Sequence, residues 1–278
     1  MIVTGTWTEG VCAASGHKLA FLRTGGELPP LILLHGFTEA NSSWFGLARS
    51  LEKEYDLILP DLLGHGNSDR LTAGESVDLQ QDLAELIAGL GLQKTALLGH
   101  SLGALTAAQF AAQNPGRIEA LILADIPWFE PSCLPNIPLQ VYYAARPEII
   151  IRLAKGWLTS ALEYCAEHFP RWNEAAREAW SESKLRFDLE WFKRPPQKSS
   201  GWRETATAFR FPTLLMSGDN QLGSLISPGF ALRALKEIPH LEWARIPNTG
   251  HHLHYDAPDA FLLNVQTFLR LNYKTQKG

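Results

Sequence analysis

Residues 99–103 read Gly99-His100-Ser101-Leu102-Gly103, a serine with a glycine two positions away on either side. The motif lies between a short apolar run at 96–98 and a helical pattern at 102–113 that stops at Asn114-Pro115-Gly116, where Pro115 cannot continue the helix and Gly116 suits a left-handed cap. A strand-turn-helix setting is what a G-x-S-x-G nucleophile requires. The chain must reverse so sharply that side chains at either flank would collide, hence the two glycines. Such a turn lifts the hydroxyl out at the carboxyl end of a sheet, the end where open α/β sheets bind ligands. It also aims the first N–H groups of the helix at any negative charge developing beside the serine. The chemistry served is attack on an ester-type carbonyl, with the Leu102 N–H as one donor to the oxyanion. A serine hydroxyl is a weak nucleophile, so a histidine base must come within hydrogen-bond reach; nine histidines are available.

Positioning such a serine takes a sheet with helices on both faces, and the rest of the chain reads that way. Strand-like runs at 31–34, 57–59, 96–98 and 120–124 alternate with helical patterns at 44–51, 79–88 and 102–113, which implies βαβ units and a parallel sheet. An antiparallel hairpin, 5–12 and 18–23 around Ser15-Gly16, precedes them at the sheet edge. From about 127 to 205 the character changes to long helical patterns rich in aromatics and punctuated by proline. Strands at 212–216 and 241–246 and helices at 228–236 and 258–271 then resume the alternation, and 273–278 reads as a frayed tail. A chain of 278 residues, 45% hydrophobic and 19% charged, has ample apolar material for one core with an insertion.

Three further stretches follow strands in the same order: His35-Gly36-Phe37-Thr38, then Asp61-Leu62-Leu63-Gly64-His65-Gly66-Asn67-Ser68-Asp69, and finally Gly250-His251. With the elbow they make the chain resemble the α/β-hydrolase superfamily over essentially its whole length, as a serine esterase, lipase or lactonase-like member with a helical lid. The resemblance implies a mostly parallel eight-stranded sheet flanked by helices. It implies a core of residues 1–126 and 206–278 and a helical cap of 127–205. In relatives with an HG motif the second oxyanion donor is the backbone N–H of the next residue, here Phe37. The base falls on His251, directly after the glycine of Gly250-His251-His252-Leu253-His254, with His252 and His254 as loop packing or rim residues. His35, His65 and His100 take structural roles, as do Asp61 and Asp69.

The orienting carboxylate is less determined. Relatives usually carry it after the strand that follows the insertion, and Asp219 is the one carboxylate in residues 214–221. The commonest spacing would instead put it at Gln221. Some relatives carry it after the strand before the insertion, where Asp125 stands. Asp219 is the first choice and Asp125 the alternative. The insertion carries Trp128, Tyr142, Tyr143, Trp157, Phe169, Trp172, Trp180, Trp191, Phe192 and Trp202. Most of these would pack the cap, and those facing the pocket imply a hydrophobic, uncharged substrate.

Several classes are disfavoured. Serine at 101 argues against dehalogenase and epoxide-hydrolase chemistry, whose intermediate is an ester on a carboxylate. The loop at 35–40 lacks the glycine richness of carbon–carbon bond hydrolases. With no H-E-x-x-H, P-loop or G-x-G-x-x-G, neither metal nor organic cofactor is expected. Cys12, Cys133 and Cys165 are too scattered for a disulfide framework or zinc site and read as reduced thiols. A net charge of −4 without like-charge runs offers no nucleic-acid or anionic-membrane surface. No signal segment and no long apolar span is visible, so a cytoplasmic protein is expected. Its partner is a small ester or lactone, and its oligomeric state stays open. An acyltransferase or lyase on the same residues, or a ligand receptor that kept the fold, are the alternatives. Ser101→Ala should abolish labelling by a fluorophosphonate and cut kcat on the order of 10⁴-fold; near-native turnover of the folded variant would end the serine-nucleophile reading.

Overall fold

In the computed structural model, residues 7–74, 76–128, 147–155, 161–194 and 201–273 are described. The apolar runs become eight strands: β1 (Thr8–Ala14), β2 (His17–Arg23), β3 (Pro30–Leu34), β4 (Asp56–Pro60), β5 (Thr95–His100), β6 (Ile118–Ala124), β7 (Thr213–Ser217) and β8 (Leu241–Arg245). They form one sheet in the order β1-β2-β4-β3-β5-β6-β7-β8. The hairpin β1–β2 turns at Ser15-Gly16, both in the left-handed region, and joins β4 antiparallel. The other neighbours are parallel.

The helices are α1 (Phe45–Leu51), α2 (Leu79–Gly89), α3 (Leu102–Gln113), α4 (Pro147–Ala154), α5 (Ala161–His168), α6 (Glu174–Leu185), α7 (Trp202–Ala206), α8 (Pro228–Glu237), α9 (Leu253–Asp256) and α10 (Pro258–Asn272). Both faces of the sheet are covered, which is why its parallel strands read as unbroken apolar runs rather than alternating ones. Leu31, Leu33, Leu57, Leu59, Leu98 and Ile122 face α1 and α10, packing with Leu51, Phe261 and Phe268. Their neighbours Ile32, Leu34, Ile58, Leu97, Leu121 and Leu123 face α2, α3 and α8. The split follows the two-residue period of a strand.

Helices α4 to α7 lie between β6 and β7 in the chain. Trp172 and Trp180 are buried with Leu153, Cys165 and Tyr255 in a separate cluster. Trp128 and Trp202 pack into the main core instead, Trp202 against Phe230 at 5.1 Å, so α7 sits on the sheet layer although its first residues were read as insertion. Tyr273 was read as the start of a frayed tail, but it is buried, stacks on Tyr55 and donates its hydroxyl to Pro30 O at 2.9 Å. Gly116 does not take the left-handed cap expected of it, and α3 ends at Gln113, capped by Asn114, whose side chain donates to Phe110 O. Cys133, Tyr142, Tyr143, Trp157 and residues 274–278 lie outside the described residues. Among the described residues no helix is long and apolar enough to cross a membrane.

The elbow depends on a close approach of strand and helix. A Cβ on Gly103 would stand 2.2 Å from Leu34 O, a backbone atom inside the sheet that cannot give way. Gly103→Ala should therefore cost about 3 kcal/mol or more, lowering Tm by roughly 6–12 °C by circular dichroism. Gly116→Ala, where no atom lies within 4 Å of the added carbon, is the control and should change stability by less than about 0.5 kcal/mol.

Candidate active site

Ser101 ends β5 and opens α3 with φ 50 and ψ −112, a conformation that a non-glycine residue keeps only when its surroundings over-determine it. Two constraints do so. Its N–H donates to Ala124 O at 3.0 Å, and the added Cβ of Gly99 would lie 2.4 Å from the backbone of Gly103, so strand and helix can meet only as glycines. Leu102 is the first residue of α3, where an N–H has no partner within the helix and remains available to a ligand.

His251 arrives on the loop after β8. Its Nε2 lies 3.0 Å from Ser101 Oγ, and its Nδ1 donates to Asp125 Oδ2 at 2.6 Å. With Nδ1 carrying the proton, Nε2 is left to accept from the serine hydroxyl, the tautomer a base requires. Asp125 follows β6, is fully buried and has φ 43. A buried carboxylate must be hydrogen-bonded. Besides His251 it accepts from Ser224 Oγ at 2.6 Å and from the N–H groups of Leu225 and Ile226.

The acid against His251 is thus Asp125, and the first choice, Asp219, is corrected. Asp219 accepts from Arg245 Nε and Nη2 at 2.9 and 2.6 Å and from Asn248 N–H at 2.9 Å. The Asn248 N–H and the Arg245 guanidinium hold its carboxyl below the usual range. The loop after β7, where an acid was sought, instead turns at Gly223 (φ 100) to present Ser224, Leu225 and Ile226 to Asp125.

The loop carrying Phe37 is pinned at every neighbouring residue. His35 Nδ1 donates to Gly36 O while its Nε2 accepts from Leu62 N–H. Thr38 N–H donates to His65 Nε2 at 3.2 Å. Thr38 has φ 64, unusual for a β-branched residue, and Lys184 of α6 donates to both its carbonyl and its hydroxyl, at 2.8 and 2.9 Å. Lys184 is 1% exposed and its pKa is lowered to about 8 by burial, which the charge of Glu39 partly offsets. Sequence reading missed Lys184, since its partner is 146 residues away. Asp61 accepts from Asn41 and Asn67 N–H, and Asp69 from Lys18 N–H, in loop-binding roles.

A family model described as the alpha/beta hydrolase fold matches residues 29–258, from just before β3 to the start of α10. The chain belongs to the alpha/beta hydrolase fold family. An uncharacterised protein of Mycobacterium tuberculosis is 38% identical over 111 residues, 40% of this chain, and the match spans only 32% of that protein's length. A mouse (Mus musculus) sn-1-specific diacylglycerol lipase is 25% identical over 87% of this chain and 81% of its own. Among solved structures, a thermophilic esterase from Thermogutta terrifontis superposes with a TM-score of 0.67 at 25% identity, over 96% of this chain and all of that one.

In this alpha/beta hydrolase a second polar cluster lies beside His251. Glu39, fully buried, approaches His100 Nδ1 and His252 Nδ1, each at 3.2 Å, and His100 Nε2 donates to His251 O at 2.9 Å. Burial alone would push the Glu39 carboxyl up, but the charge and hydrogen bond of His100 outweigh it and leave it well below its ordinary range. Burial likewise opposes charge on His100, yet the Glu39 carboxylate raises its pKa. Burial lowers His252 to about 4 and His254 well below the imidazole range. His252 and His254 were read as packing or rim residues and Glu39 was not singled out. Together with His100, Glu39 and His254 are the donors here that could hold a metal. The His251 loop is further tied by Asp256, which accepts from Gly250 N–H and from Trp172 Nε1. Phe37 meets Phe187, Trp191 and Phe192 edge-on at 5.1 to 5.8 Å, an aromatic wall on the 35–38 loop.

The two acids are separated by amide replacement. Asp125→Asn should slow fluorophosphonate labelling of Ser101 by roughly 10³-fold or more. Asp219→Asn should leave it within about threefold, because Asp219 makes no hydrogen bond to His251 and a part-exposed ion pair with Arg245 is worth little. The reverse pattern would restore Asp219.

Proposed function

We propose that this protein hydrolyses a carboxylic ester, open-chain or lactone, of a small and mainly hydrophobic substrate through an acyl-enzyme on Ser101. The observation that carries the reading is His251 bridging Ser101 and Asp125 at 3.0 and 2.6 Å. In this scheme Ser101 Oγ attacks the carbonyl carbon as its proton passes to His251 Nε2, and Asp125 stabilises the imidazolium. The N–H groups of Phe37 and Leu102 donate to the oxyanion, each contributing about 3–4 kcal/mol to the transition state. The carbon–oxygen bond breaks as His251 returns the proton to the departing alkoxide. Water then attacks the acyl group, again giving its proton to His251, and the acid leaves with Ser101 restored.

Residues 127–205 are read as a helical cap on a core of 1–126 and 206–278. Support comes from Lys184 on Thr38, from Asp188 accepting the Leu71 N–H at 2.7 Å and from Trp191 donating to Leu63 O. The ring of Phe37, Phe187, Trp191 and Phe192 is the surface for the apolar part of the substrate. A relative named as a lipase and one named as an esterase agree with an ester substrate. Across p-nitrophenyl esters from acetate to octanoate and a set of lactones, kcat/KM should rise with chain length until the aromatic wall is filled. Trp191→Ala should lower it for the longest substrate about tenfold more than for acetate, the value of losing a few methylene contacts. Normal labelling of Ser101 without turnover of any ester or lactone would overturn the reading.

A further inference from the structure

Next to His251, the side chains of Glu39, His100 and His254 converge in a space closed to solvent, 0%, 1% and 7% exposed respectively. They come from three separate segments: the loop after β3, the last residue of β5, and α9. One donor atom of each lies within 4.8 Å of the other two. Glu39 Oε2 is 3.2 Å from His100 Nδ1, and Glu39 Oε1 is 3.8 Å from His254 Nε2. Around a tetrahedral ion with bonds of about 2.0–2.2 Å, ligand atoms stand roughly 3.3–3.5 Å apart. The two carboxylate-to-imidazole spacings, 3.2 and 3.8 Å, bracket that value.

Three observations separate this cluster from an ordinary buried hydrogen-bond network. The first is His254. Neither Nδ1 nor Nε2 has a hydrogen-bond partner among the described residues, although the ring is buried. A proton on Nε2 would be too far from Glu39 for a hydrogen bond, while a proton on Nδ1 would set the Nε2 lone pair against the carboxylate. A cation between the two resolves both cases. The second is His100, whose Nε2 donates to His251 O; a metal-bound histidine makes this outer bond, and it fixes the tautomer that offers Nδ1 as ligand. The third is Glu39, which Gly36 N–H holds at 2.8 Å, with His252 Nδ1 at 3.2 Å from its other oxygen. Carboxylate ligands are anchored in this way.

We propose that Glu39, His100 and His254 bind one first-row divalent cation, with Zn²⁺ the best match to two imidazoles and one carboxylate. The ion clamps together the Phe37 loop, the elbow and the base loop, and it does not touch substrate. Binding displaces a proton from His100, whose Nδ1 otherwise donates to Glu39. None of the three spacings forms a recognised metal motif, because the ligands are brought together only by the sheet.

The test uses the full chain, stripped with chelator and then given Co²⁺ or Zn²⁺ alone. Wild type should retain one equivalent of Zn²⁺ through gel filtration and gain roughly 5 °C or more in Tm with free Zn²⁺ at 100 times Kd. The Co²⁺ form should show visible d–d bands that Zn²⁺ bleaches. His254→Leu and Glu39→Gln should each lose the bound equivalent, while Ser101→Ala and the exposed-site control His240→Gln keep it. Near-UV circular dichroism establishes that each variant is folded, and the wild-type Co²⁺ spectrum stands independently of them. Less than about 0.1 equivalent on wild type with no Co²⁺ bands, or full retention by folded His254→Leu, would overturn the site.

Discussion

A fully buried carboxylate is the constraint around which this molecule is arranged. Asp125 is removed from water, and a charge so placed is tolerated only when each lone-pair direction is answered. The answers come from the 251 loop, through Nδ1 of His251, and from the 224–226 loop, through one hydroxyl and two N–H groups. Satisfying Asp125 thus brings the loops after β6, β7 and β8 to the same edge of the sheet. The position of the histidine over Ser101 follows from it. A neutral side chain at 125 would remove the reason for the 224–226 loop to fold inward as well as the partner of the imidazole.

The serine side is arranged by backbone sterics rather than by charge. Gly99 and Gly103 let the strand and helix approach until a single added carbon would overlap main-chain atoms. The Phe37 loop combines both kinds of constraint. Its strained Thr38 is held by a lysine that loses solvation in being there, which burial registers by lowering the Lys184 pKa to about 8. An ammonium on a carbonyl and a hydroxyl ties the helical segment between β6 and β7 to the loop that carries Phe37.

Much of this was legible in the chain itself. The apolar runs, their period and the glycine and proline punctuation gave the strands and helices of the sheet layer to within a few residues, because a doubly covered parallel sheet writes its burial directly into local composition. The pairing of Ser101 with His251 was legible because glycines stand two residues to either side of the serine and directly before the histidine, where a tight backbone path demands them. What local pattern could not supply was any choice between groups at the same edge. Asp125 and Asp219 follow β6 and β7, which are neighbours in the sheet, so both stand at the right edge. Only the left-handed turn at Asp125, and the Arg245 and Asn248 partners of Asp219, decide which carboxylate faces the imidazole. Glu39 and Lys184 lie beyond sequence reading for the same reason. Their partners stand 61, 213 and 146 residues away, and a polar side chain in a loop reveals nothing of itself until the fold takes away its water.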